Sequence, residues 1–106
     1  MNEMKKEEQD FLDYELEKPV EFEKTTISRI DLTKLREMNL DELSEVYETY
    51  EAMGGSDGIA MGVPLPFAKL IMQRITGYPL EALGRMGARD ALRIRLRIYR
   101  FFYLSK

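Results

Sequence analysis

This sequence predicts an α+β fold, mostly α, in which a short N-terminal β-hairpin is followed by about four helices. Three observations carry that prediction. Between Tyr14 and Leu32, apolar and polar residues alternate on either side of Lys18-Pro19 and after Lys24-Thr25, the two-residue period of paired strands. From Thr33 onward the apolar spacing changes to three and four, and Gly and Pro cut the chain into separate blocks. The last block, 88–104, has no internal Gly or Pro and opens with the helix-favouring Ala-Arg-Asp-Ala-Leu. At 106 residues the chain is long enough for one modest core. The expected division is a charged flexible tail over 1–13 and one α+β domain over 14–106.

The elements follow in order. Tyr14 and Leu16, then Val20 and Phe22, form a first strand around Pro19, which suits an edge or a strand end because it has no N–H to give to a ladder. Thr26, Ser28, Ile30 and Leu32 alternate as the second strand. A helical turn is expected over 33–38, and Asn39 with Glu42 has the spacing of an N-cap and its N3 partner. Leu40, Leu43, Val46, Tyr47, Tyr50 and Met53 then share one arc, opposite Asp41, Glu42, Glu45, Glu48 and Glu51. Gly54-Gly55 ends that helix and opens a glycine-rich loop to Pro64, with the composition of a mobile or partner-ordered segment. A helix from Leu65 to Ile75 or Thr76 turns Phe67, Ala68, Ile71, Met72 and Ile75 inward. Gly77 stops it, and Pro79 starts a short helix through Met86. Residues 92–98 alternate strictly, so a strand competes there; segment length and the start at Ala88 favour helix.

Composition narrows the chemistry. With no histidine and no cysteine, the usual general base, thiol nucleophile and soft metal ligands are missing. Carboxylate pairs such as Asp41 with Glu45, or Glu45 with Glu48, have helical spacing but fall on a solvated face. The Gly54 to Gly58 run lacks the Lys-Ser or Lys-Thr of a phosphate loop, and Ser56 has no base to activate it. No catalytic residue, cofactor or metal ligand is therefore assigned, and a binding protein rather than an enzyme is expected. No apolar run approaches the roughly 20 residues of a membrane span. The charged start, Met-Asn-Glu-Met-Lys-Lys-Glu-Glu, lacks a signal-peptide core, so a cytoplasmic location is expected.

Charge is unevenly spread. Residues 1–53 hold 16 acidic and 7 basic side chains, a net −9, and residues 54–106 hold 3 acidic and 9 basic, a net +6. Opposite halves attract within one chain or between copies. Wound as a helix, 88–104 gathers Arg89, Arg93, Arg97 and Arg100 into one stripe. Two apolar groups flank it: Leu92, Leu96, Tyr99 and Tyr103 on one side, Ile94, Ile98, Phe101 and Phe102 on the other. One small core covers only one of them, which leaves the other for a partner. Leu96, Tyr99, Phe101, Phe102 and Tyr103 are the candidates for apolar contact, with Arg93, Arg97 and Arg100 meeting acids such as Glu45 and Glu48. Arg95 falls in the apolar sector and needs an acid, an aromatic face or an edge position. The same arginines would suit a small nucleic-acid-binding regulator, a reading disfavoured by the overall charge of −3 and by the scarcity of polar side chains on the segment after Pro79.

The order of the pieces also carries a resemblance. Leu16-Glu17-Lys18-Pro19-Val20, then Ile27 to Leu32 with Leu35-Arg36, then Ile75-Thr76-Gly77-Tyr78-Pro79-Leu80-Glu81-Ala82-Leu83, resemble the "L-x-K-P" hairpin and "I-T-G-x-P" turn of tailed-bacteriophage tail assembly chaperones. The resemblance spans Tyr14 to Leu104. It implies a non-enzymatic, homo-oligomeric helper in the host cytoplasm that holds the tape-measure protein and recruits tail-tube subunits. The final segment is more basic and bulkier than that family's pattern.

Overall fold

The computed structural model describes residues 10–55 and 63–104. The chain runs as strand β1 (Asp13–Phe22), strand β2 (Thr25–Asp31), a 3₁₀ turn (Thr33–Glu37), then helices α1 (Leu40–Ala52), α2 (Leu65–Thr76), α3 (Leu80–Leu83) and α4 (Ala88–Tyr99). A π-helical turn, Arg100–Leu104, prolongs α4. The fold is α+β and mostly α, with a two-stranded antiparallel hairpin ahead of four helices. The competing strand over 92–98 is settled as helix.

The hairpin begins earlier than the expected domain boundary. Leu12 is fully buried, its carbonyl accepts Leu32 N–H at 2.7 Å, and Asp13 pairs with Asp31. Asp10 accepts two bonds from the Arg36 guanidinium, at 2.6 and 3.1 Å. Residues 10–13 thus belong to the domain rather than to a tail; residues 1–9 lie outside the described residues. Glu23 makes the reversal at φ 55°, in the left-handed region.

The ladder is interrupted on β1. Glu15 pairs with Arg29 and Val20 with Ile27, so five steps along β1 are matched by two along β2. This wide bulge contains Leu16-Glu17-Lys18-Pro19, consistent with a proline that cannot join a ladder. Ile27 and Ile30 are buried, three apart, whereas Thr26 and Ser28 are exposed, so of the alternating set Thr26, Ser28, Ile30 and Leu32 only the last two lie in the core.

Helix α1 starts where a reciprocal cap satisfies its first amides. Glu42 N–H donates to Asn39 Oδ1 at 2.9 Å and Asn39 N–H donates to Glu42 Oε1 at 3.0 Å. Only the middle of its apolar arc is covered. Val46 and Tyr50 are buried, and Tyr47 and Tyr50 set their rings edge-on to Phe67, with centroids 6.0 and 5.5 Å apart. Leu40 and Met53, at the two ends of the arc, are exposed, because α1 leans on α2 through its centre. The expected loop Gly54 to Pro64 falls largely on 56–62, outside the described residues.

Helix α2 is the central element. Phe67, Ala68, Leu70, Ile71 and Met72 are buried, and Gly77 closes the helix at φ 84°, its N–H donating to the Gln73 carbonyl. Helix α3 is one turn, ending at Leu83 rather than Met86; beyond it Arg85 and Met86 make only i→i−3 bonds, to Ala82 and Leu83. The hairpin, the 3₁₀ turn, α2 and α4 enclose Leu12, Ile27, Ile30, Leu32, Leu35, Ile71, Ile94 and Ile98, each at most 2% exposed. Burying each such side chain contributes about 2 kcal/mol relative to leaving it in water.

Candidate docking surface

Helix α4 is fixed against β1 by a buried carboxylate. Asp90, in the first turn after the Gly87 N-cap, is 1% exposed. It accepts three hydrogen bonds: Tyr14 Oη at 2.7 Å, Glu17 N–H at 2.9 Å and Lys18 N–H at 3.1 Å. The last two donors lie in the bulge, where β2 offers them no regular partner. The acid therefore replaces a missing strand at the one place where the ladder opens, and it sits at the helix end where negative charge is favoured. Burial works to raise the Asp90 pKa, but the Glu17 amide, the Tyr14 hydroxyl, the Lys18 amide and the Arg93 charge outweigh it and hold the carboxyl below the ordinary aspartate value. Burial, then the bond to Asp90, raises the Tyr14 hydroxyl above the ordinary tyrosine value.

The arginine stripe runs along β1. Arg93 Nη1 lies 3.2 Å and Arg89 Nη1 3.7 Å from Glu17 Oε2. Arg97 stacks over the Tyr14 ring at 4.5 Å and donates to the Arg93 carbonyl at 3.2 Å. Arg100 stacks over Phe11 at 4.0 Å, with Arg36 5.8 Å from the same ring. The expected meeting of Arg93, Arg97 and Arg100 with Glu45 and Glu48 does not occur within the chain: Glu45 pairs with Arg74 at 2.8 Å, and the acid at Arg93 is Glu17. Helix α1 packs on α2, so its acids lie on another side of the fold. These ion pairs are open to solvent, and screening leaves each of them little net contribution to stability.

The two apolar flanks have opposite fates. Ile94 and Ile98 are fully buried, and Phe101 and Phe102 pack against the core with their rings edge-on at 5.2 Å. On the other flank Leu92 is 44%, Leu96 58% and Tyr103 52% exposed. Tyr99 is half-buried and stacks on Tyr103 at 5.1 Å, giving this flank a continuous surface. Of the residues named for apolar contact, Leu96 and Tyr103 therefore face outward, with Tyr99 half-buried between them, and Phe101 and Phe102 pack against the core. Leu92 joins the outward group, and Leu104 is exposed at the helix end.

Arg95 borders that strip. Its Nε atom is buried with no hydrogen-bond partner among the described residues. A second apolar surface lies apart from α4, a depression of about 240 Å³ between Met53, Leu65, Pro66 and Leu80.

Asp90 was not legible as a positioning residue from its neighbours in sequence. The available signal is that it is the one acid in the arginine-rich segment 88–104, while Leu16-Glu17-Lys18-Pro19 reads as an interrupted strand. Nothing local joins the two. Among the described residues no cluster of acids could hold a metal ion, and no helix is long and apolar enough to cross a membrane. Comparisons with family models, with curated proteins and with solved structures found no match to this chain.

Proposed function

We propose that this protein is a non-enzymatic assembly chaperone of the phage-tail type, which uses the outward flank of α4 to hold a helical client. The observation that supports this reading is the strip Leu92, Leu96 and Tyr103, bridged by the half-buried Tyr99 and left in water by a helix whose opposite flank already fills the core. Leaving three large side chains about half-exposed in a row costs solubility, and such a patch is retained where something docks on it. In this reading the client is the tape-measure protein, tail-tube subunits are the second partner, and the setting is the cytoplasm of a bacterial host. In this reading copies also associate with one another when no client is present.

The alternative, a nucleic-acid-binding regulator, needs Arg93, Arg97 and Arg100 available to phosphates. Arg93 and Arg97 are engaged in part with Glu17 and Tyr14, and the surface beside them is the apolar strip Leu92, Leu96 and Tyr103, which offers a phosphate backbone nothing, so the chaperone reading has the better support. The test is co-expression of the full chain with a long tape-measure segment, together with light scattering of the purified chain across concentration. A client kept soluble, and a mass that rises with concentration, are the expected results. A strict monomer that leaves the client insoluble would overturn the proposal.

A further inference from the structure

We infer that the α4 strip is built for an acidic amphipathic helix supplied by another protein, with its apolar seam on Leu92, Leu96, Tyr99 and Tyr103 and its carboxylates on both sides. The inference rests on reading that strip as the docking surface and adds the chemistry of the occupant. Spacing selects a helix. Positions 92, 96 and 99 follow one another by four and three, the seam along which two helices interlock side by side, and Tyr103 in the π-helical turn prolongs it by stacking on Tyr99. From Leu92 to Tyr99 such a seam covers about 10 Å, or two turns.

Charge selects the sign of the partner. In that repeat the positions bordering the seam are Arg93 and Arg100 on one side and Arg95 on the other. Glu17 of β1 reaches Arg93 at 3.2 Å and offsets part of this charge, while Asp90, the only acid of α4, is buried and bound to the hairpin and cannot balance the rest at the surface. A second copy docking α4 on α4 sets arginine against arginine, and like charges across an interface penalise that contact. An incoming helix with Glu or Asp at the bordering positions turns the same arginines into attraction.

The apolar depression at Met53, Leu65 and Leu80 has no comparable charge border, as Lys69 is the only charged residue lining it among the described residues.

The experiment uses the full chain and three fluorescein-labelled helical peptides of about 18 residues. All share one leucine seam; the bordering positions are Glu in the first and Lys in the second, and the third keeps the first peptide's composition with the seam scrambled. Anisotropy should show the Glu peptide binding at least about tenfold more tightly than the other two, with affinity falling as salt rises. Leu96→Glu, at an exposed position, should remove binding without changing the urea midpoint, and amide shifts should map to 92–103. Equal binding of Glu and Lys peptides, binding that Leu96→Glu leaves intact, or a second copy holding the strip against all three peptides would each overturn the inference. If the tape-measure segment is kept soluble while peptide charge makes no difference, only this inference falls. If the Glu peptide binds and the segment stays insoluble, only the chaperone proposal falls.

Discussion

Asp90 and Tyr14 stand 76 positions apart in the chain and 2.7 Å apart in the fold, the tyrosine hydroxyl donating to the carboxylate. The same carboxylate takes the amides of Glu17 and Lys18, so a single acid ties the first turn of α4 to the open stretch of β1. Everything on α4, its arginines and its exposed flank alike, is aimed by that attachment. Replacing Asp90 with Ala strands three donors in a buried place. The expected loss is about 3 kcal/mol, read as a lower urea midpoint, with Tyr14→Phe losing only about 1 kcal/mol because two donors still satisfy the acid.

The same contact sets an acid limit on stability. Asp90 titrates below the ordinary aspartate value, as do Asp10, held down first by the Arg36 hydrogen bond, and Asp31, held down first by the Thr33 amide. A carboxylate with a depressed folded pKa stabilises the fold above its unfolded pKa, and that contribution disappears as the pH drops through the folded value. Unfolding free energy is therefore expected to be nearly level above about pH 5 and to fall steadily below about pH 4. Urea titrations at stepped pH check this, and Asp90→Asn should flatten part of the slope.

The two flanks of α4 should respond differently to truncation. Ile98→Ala removes a fully buried side chain and is expected to cost about 3 kcal/mol. Leu96→Ala, more than half exposed, should change stability by less than about 0.5 kcal/mol. Equal losses in paired urea melts would mean that the outward flank is part of the core.

At the hairpin turn, Glu23 holds φ 55° without the freedom of glycine. Left-handed backbone costs a residue with a Cβ about 1 kcal/mol. Glu23→Gly is expected to raise the thermal midpoint by a few degrees, even after the greater flexibility that glycine gives the unfolded chain. A lower midpoint would place the turn in another conformation.

Much of the fold is written in local chemistry. Asn39 and Glu42 mark the start of α1, Gly77 ends α2 and Pro79 caps α3, because caps and turns depend on residues within four positions of one another. The two apolar flanks of α4 and the arginines between them are likewise a property of helical period alone. Which flank is buried, which acid the arginines meet, and which residues of β2 turn inward are not local. The stripe rests on Glu17, Tyr14 and Phe11 rather than on the acids of α1, and the bulge in β1 is closed by an aspartate more than 70 positions away. Periodicity states how many faces a helix has; only packing against distant elements decides which face keeps its water, since burial is a contest among surfaces that the chain brings together after folding.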